Sequence, residues 1–140
     1  MTSVNAIMQR YRSLKRRQAQ AIANLVKKYS ADAVKTISNT ARKYKLKQCK
    51  EAAAAMKKVL VKKKLPGAMV ELYFPNAYKG FVVSDKTGNE AISETGYHYG
   101  VYYNGRIYCN IYPEGVDATI WPSKFHALSD VGRTVRYYWF

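Results

Sequence analysis

The chain has 140 residues, 48% of them apolar, enough for one domain with its own core and too much for a disordered tail. No apolar run approaches the ~18 residues that a membrane-spanning helix needs. Arg10, Arg12, Lys15, Arg16 and Arg17 stand where the apolar stretch of a secretory leader would be, so none is expected.

The net charge of +15 is lopsided. Residues 1–64 carry eighteen Lys and Arg against two acids, which is +16; residues 65–140 carry six against seven, which is −1. That split predicts a basic helical arm joined to a near-neutral, β-rich body, with the arm assigned to residues 1–45 and the following domain to residues 46–140. A half this basic points to RNA, an anionic membrane surface or an acidic protein as partner. Two cysteines, Cys49 and Cys109, are too few for a disulfide framework.

Val4, Ile7, Met8, Tyr11, Leu14, Ala21, Ile22, Leu25, Val26 and Tyr29 recur at three and four residues, which predicts an amphipathic helix. Ser30 reads as the N-cap of a second helix, with Asp32 in its first turn and Ala33, Val34, Ile37 and Ala41 facing inward. A third begins near Gln48 and ends before Pro66-Gly67, burying Ala52, Ala55, Met56, Val59 and Leu60. Its terminal Lys62-Lys63-Lys64 complements the helix dipole.

After Gly67 the period changes to two. Ala68 to Phe74 reads as a strand, and Phe81-Val82-Val83 as a short one ending in a turn at Asp85 to Asn89. Gly96 to Tyr112 reads as a hairpin. Asn104-Gly105 suits a type I′ turn, because both central residues need φ > 0. Tyr103 then pairs with Arg106, Val101 with Tyr108 and Tyr99 with Asn110. One face carries Tyr97, Tyr99, Val101 and Tyr103; the other, more apolar and so expected inward, carries His98, Gly100, Tyr102 and Ile107. Trp121 to His126 suggests a short helix, and Thr134 to Phe140 a closing strand. Helices first and an antiparallel sheet after them make the chain α+β.

Cys49 stands at the start of the third helix, where the helix dipole with Lys45, Lys47 and Lys50 favours thiolate. The same lysines could neutralise phosphates, and Tyr97, Tyr99 and Trp121 could stack unpaired bases. His126 reads as structural. No Cys, His and Asp cluster has metal-ligand spacing, so neither metal nor other cofactor is expected.

Four features in order resemble the papain-fold toxin domains of bacterial polymorphic toxins, such as contact-dependent inhibition toxins. They are Gln48-Cys49 opening an Ala-rich helix, Leu65-Pro66-Gly67, the Gly-x-His-x-Gly-Val of Gly96 to Val101, and the Cys-Asn-Ile-x-Pro-x-Gly-Val of Cys109 to Val116, with Trp121 beyond. The resemblance covers about Lys45 to Asp130. It implies a papain-like core with Cys49 as nucleophile, His98 as base, and Cys109-Asn110 at the orienting position. Cys109 stands where the family has Asp, and Lys43 where the oxyanion glutamine would lie. The basic arm and this altered triad together favour a metal-independent ribonuclease, with tRNA as the abundant target and His98 as general acid or base. A cysteine hydrolase using Cys49 and His98, a peptidase or deamidase, is the alternative, and a non-enzymatic basic effector a third. The resemblance further implies release from a larger protein of a producing bacterium, action in a target cell's cytoplasm, an acidic immunity protein and room for a host helper protein; the lack of a long apolar run predicts no stable membrane insertion.

Overall fold

The computed structural model describes residues 16–128 and 132–140. Helix α1 runs over Arg16–Arg42 and helix α2 over Cys49–Lys62. Strands follow: β1 (Ala68–Tyr73), β2 (Val82–Ser84), β3 (Tyr97–Tyr103), β4 (Arg106–Tyr108), β5 (Val116–Asp117), β6 (Phe125–Ala127) and β7 (Thr134–Trp139). The fold is α+β, with helices ahead of antiparallel sheets.

Two α-helices, not three, lie among the described residues. The break expected at Ser30 does not occur, and α1 continues through it to Arg42. No Gly or Pro lies between Arg16 and Arg42, and Ser30 and Asp32 are too weak to stop a helix flanked by good helix formers. The expected apolar positions before Arg16 lie outside the described residues. The chain divides into two compact units, the first ending at Val34 and the second beginning at Lys35. In the second, Ile37, Ser38 and Ala41 are buried.

The main sheet has the order β5-β4-β3-β1-β7 and is antiparallel throughout. The hairpin has the expected register: Tyr103 opposes Arg106 and Val101 opposes Tyr108. Asn104 and Gly105 take φ of 50° and 88°, as a type I′ turn demands. The ladder stops at Tyr108, so Tyr99 and Asn110 do not pair. Strand β1 lies between β3 and β7, with Leu72 beside His98 and Val135. A second sheet pairs β2 with β6. The helix expected from Trp121 to His126 is one 3₁₀ turn, Trp121–Lys124, after which Phe125 enters β6.

Both faces of β3 are covered, by different things. On one face Val70, Leu72, Val82, Ile107, Trp121 and Phe125 form the core cluster. On the other α2 packs over β3, and Val101, Tyr103 and Tyr108 are buried.

Candidate functional site

The loop before α2 is pinned from two sides. The Lys45 amide donates to Gln48 Oε1 at 2.8 Å, and Asn110 Nδ2 donates to the Lys45 carbonyl at 2.8 Å. Lys47 takes φ of 70°, its amide bonded to the Ile92 carbonyl at 3.1 Å and its Nζ ion-paired to Glu94 Oε1 at 2.8 Å. These bonds set the amino end of α2 against the tyrosine face of β3.

The space between them is a cleft of about 500 Å³. Lys47, Cys49, Lys50 and Glu51 form one wall; Ser93, Glu94 and Thr95 close one end; Tyr97 and Tyr99 form the other wall. The tyrosines stand in a row that includes Tyr73. Tyr73 and Tyr97 stack at 4.1 Å, and Tyr97 and Tyr99 are nearly parallel at 6.0 Å. Lys50 Nζ lies 5.9 Å from the centre of the Tyr99 ring. Burial, then the charge of Glu71, pushes the Tyr99 phenol up to about 12, so it remains a proton donor at neutral pH.

Cys49 lines this cleft but is only 6% exposed. Burial raises its pKa, and hydrogen bonds at the Tyr99 and Lys50 backbone offset this only in part. The expectation of a thiolate favoured by dipole and lysines is therefore reversed: desolvation outweighs both.

His98 is not in the cleft. Strand alternation turns it to the opposite face from Tyr97 and Tyr99. Its ring has no exposed surface and sits 4.4 Å from Phe125 and 5.5 Å from Trp121. Neither ring nitrogen has a hydrogen-bond partner among the described residues. Burial alone drives its pKa down to about 3, so the ring is neutral. The expected imidazole facing Cys49 is corrected by one fact of topology: the sheet lies between them.

Cys109 shares the core face with His98 and is fully buried, its thiol pushed up to about 11 by burial. It accepts a hydrogen bond from the Tyr112 amide at 3.4 Å. Asn110 does not reach His98; it holds the loop of Lys45, and its Oδ1 is buried without a partner among the described residues. Trp121, expected to stack bases, is fully buried beside Phe125 and has no surface to offer them. Lys45 is exposed on the loop before α2. His126 Nε2 lies 2.6 Å from Asp85 Oδ1.

Sequence reasoning missed Tyr73, Glu51 and Glu94. The alternation of β1 could have placed Tyr73 on a face, but nothing in the sequence says that β1 lies beside β3.

A buried cysteine opening a helix, set against a strand of an antiparallel sheet, is the skeleton of a papain-like site. The papain fold toxin 2 family model matches residues 32–126, about two thirds of the chain. The chain belongs to the papain-fold toxins. No curated protein and no solved structure matches it. In this toxin domain Cys49 opens the helix beside the cleft, while the imidazole of His98 faces the other side of the sheet. Among the described residues no group of three His, Cys, Asp or Glu could hold a metal ion.

Proposed function

We propose that this papain-fold toxin is a ribonuclease whose working site is the cleft between α2 and β3. One observation carries the reading: a cationic helix start faces a stacked tyrosine row across an open cleft. Lys47 and Lys50 neutralise phosphates, with Lys45 nearby on the loop. Tyr97 and Tyr99 meet the bases or ribose of an unpaired segment, because a paired helix would not present its bases to them. tRNA, with its exposed loops, is the abundant candidate.

Cleavage needs a base for the 2′-hydroxyl proton and a donor to the departing 5′-oxygen. The 2′-oxygen bonds to phosphorus as the 5′-oxygen leaves. His98 is sealed in the core and serves neither role. Of the two carboxylates lining the cleft, Glu94 is paired with Lys47; Glu51 is the candidate base. The Tyr99 phenol, protonated throughout the physiological range, is the candidate donor.

The test is inducible expression in bacteria with total RNA run on a gel. Wild type should fragment RNA, and Glu51→Gln and Lys50→Ala should each reduce fragmentation tenfold or more. Intact RNA in dying cells removes the reading.

A cysteine hydrolase is the second reading, favoured by Cys49 at the helix start. No imidazole reaches Cys49, however, and its thiol stays protonated. Loss of toxicity in Cys49→Ser, with RNA intact in wild-type-intoxicated cells, would establish it. A non-enzymatic basic effector requires that Glu51→Gln and Cys49→Ser both stay fully toxic. The proposal carries with it action in the target cytoplasm, an acidic immunity protein matched to the basic half, and space for a host helper protein.

A further inference from the structure

Residues 1–31 hold seven Lys and Arg and no acid. Within α1, Ile22, Leu25, Val26 and Tyr29 follow the i, i+3, i+4, i+7 spacing of one helix face. Water meets all four: they are 39%, 66%, 63% and 46% exposed. Arg16, Arg17, Lys27 and Lys28 lie well round the helix from that stripe. RNA accounts for the cations but not for the apolar stripe, since phosphates gain nothing from leucine and valine. A second copy of the chain would bring two strongly basic arms together, at a Coulomb cost. A bilayer rich in anionic lipid satisfies both features at once: the stripe enters the acyl boundary and the cations remain among the headgroups. Among the described residues no helix is long and apolar enough to cross a membrane, so the helix would lie in the surface.

We infer that the amino-terminal half of α1 is an interfacial helix that docks the toxin on anionic membrane surfaces. The inference is independent of the cleft and of its chemistry.

Flotation of the full chain with phosphatidylglycerol-containing vesicles, beside pure phosphatidylcholine vesicles, tests it. Wild type should float with the anionic vesicles and not with the neutral ones. Leu25→Asp with Val26→Asp should weaken partition by roughly tenfold or more, because the stripe no longer enters the acyl region. Lys27→Ala and Lys28→Ala should each weaken it about fivefold, the scale of one cation at an anionic surface. Both aspartates sit at exposed positions, so RNA fragmentation by that variant inside cells should match wild type. Three outcomes overturn the inference: no flotation with anionic vesicles, undiminished flotation of the aspartate variant, or a stable dimer or a complex with an acidic protein that buries the stripe without lipid.

Discussion

His98 holds a neutral imidazole against two aromatic rings, with both nitrogens lacking partners among the described residues. Its folded pKa of about 3 lies below the ordinary 6.5. Unfolded chains therefore bind its proton more readily than folded ones, and stability rises with pH between those values. The domain should lose stability as pH falls below 6.5, by at most about 1.4 kcal/mol per pH unit from this group. His98→Leu should flatten that part of the profile, as urea midpoints at pH 7 and pH 5 would show. It should also keep toxicity, because an apolar replacement of a buried, unpaired polar group is close to neutral. His98→Ala should instead cost about 2–4 kcal/mol through the cavity it leaves. Loss of toxicity in a folded His98→Leu protein would return the imidazole to the chemistry.

Next along the strand, Gly100 shows how tightly that face is packed. A Cβ there would lie 2.7 Å from Ile107 Cγ2 and 3.0 Å from both Trp121 Cζ2 and the Tyr108 carbonyl oxygen. Gly100→Ala should lower stability by about 1–3 kcal/mol, measured as a fall in melting temperature. Cys49 makes the opposite point, that proximity to a cleft does not confer reactivity. Its raised pKa predicts sluggish alkylation by iodoacetamide at pH 7 that speeds up in alkaline solution. Rapid, selective labelling at neutral pH would contradict this.

At the scale of elements, the turn and register of the hairpin were legible, but not its length, since the ladder ends at Tyr108 and Tyr99 does not pair with Asn110. Asn104-Gly105 accepts positive φ, and alternation fixes every partner once the turn length is two. Asn104→Val should cost about 1–3 kcal/mol, since a β-branched residue is strained at φ of 50°. The denaturant midpoint should fall with its slope unchanged. Helix α1 was legible in type but not in extent. A cap-forming residue such as Ser30 marks a helix start only where the chain also has reason to stop, and no Gly or Pro supplies one. The segment at Trp121 was misread for a related reason. Pro122 favours the first turn of any helix, but a buried Trp121 followed by Phe125 in β6 leaves room for one 3₁₀ turn only.

For the whole molecule, charge and chemistry are divided along the chain. The basic half reaches the cleft through Lys47 and Lys50, whereas the sheet contributes tyrosines rather than cations. Binding of a fluorescent single-stranded RNA should therefore depend on salt, with a log–log slope near −0.7 for each phosphate neutralised. Lys50→Ala should lessen that slope by about the same amount. An unchanged slope would place the RNA elsewhere.

The sequence by itself determined the α+β class, the hairpin register, the position of Cys49 at a helix start and the division of charge, because propensity, period and composition are local properties. It also determined that His98 and Tyr99 point to opposite sides of one strand. Only the tertiary structure decided which side α2 covers. When both faces of β3 are buried, one under a helix and the other against Trp121 and Phe125, an inward-facing residue has two places to go. Alternation cannot choose between them, because the choice depends on contacts among residues far apart in the chain.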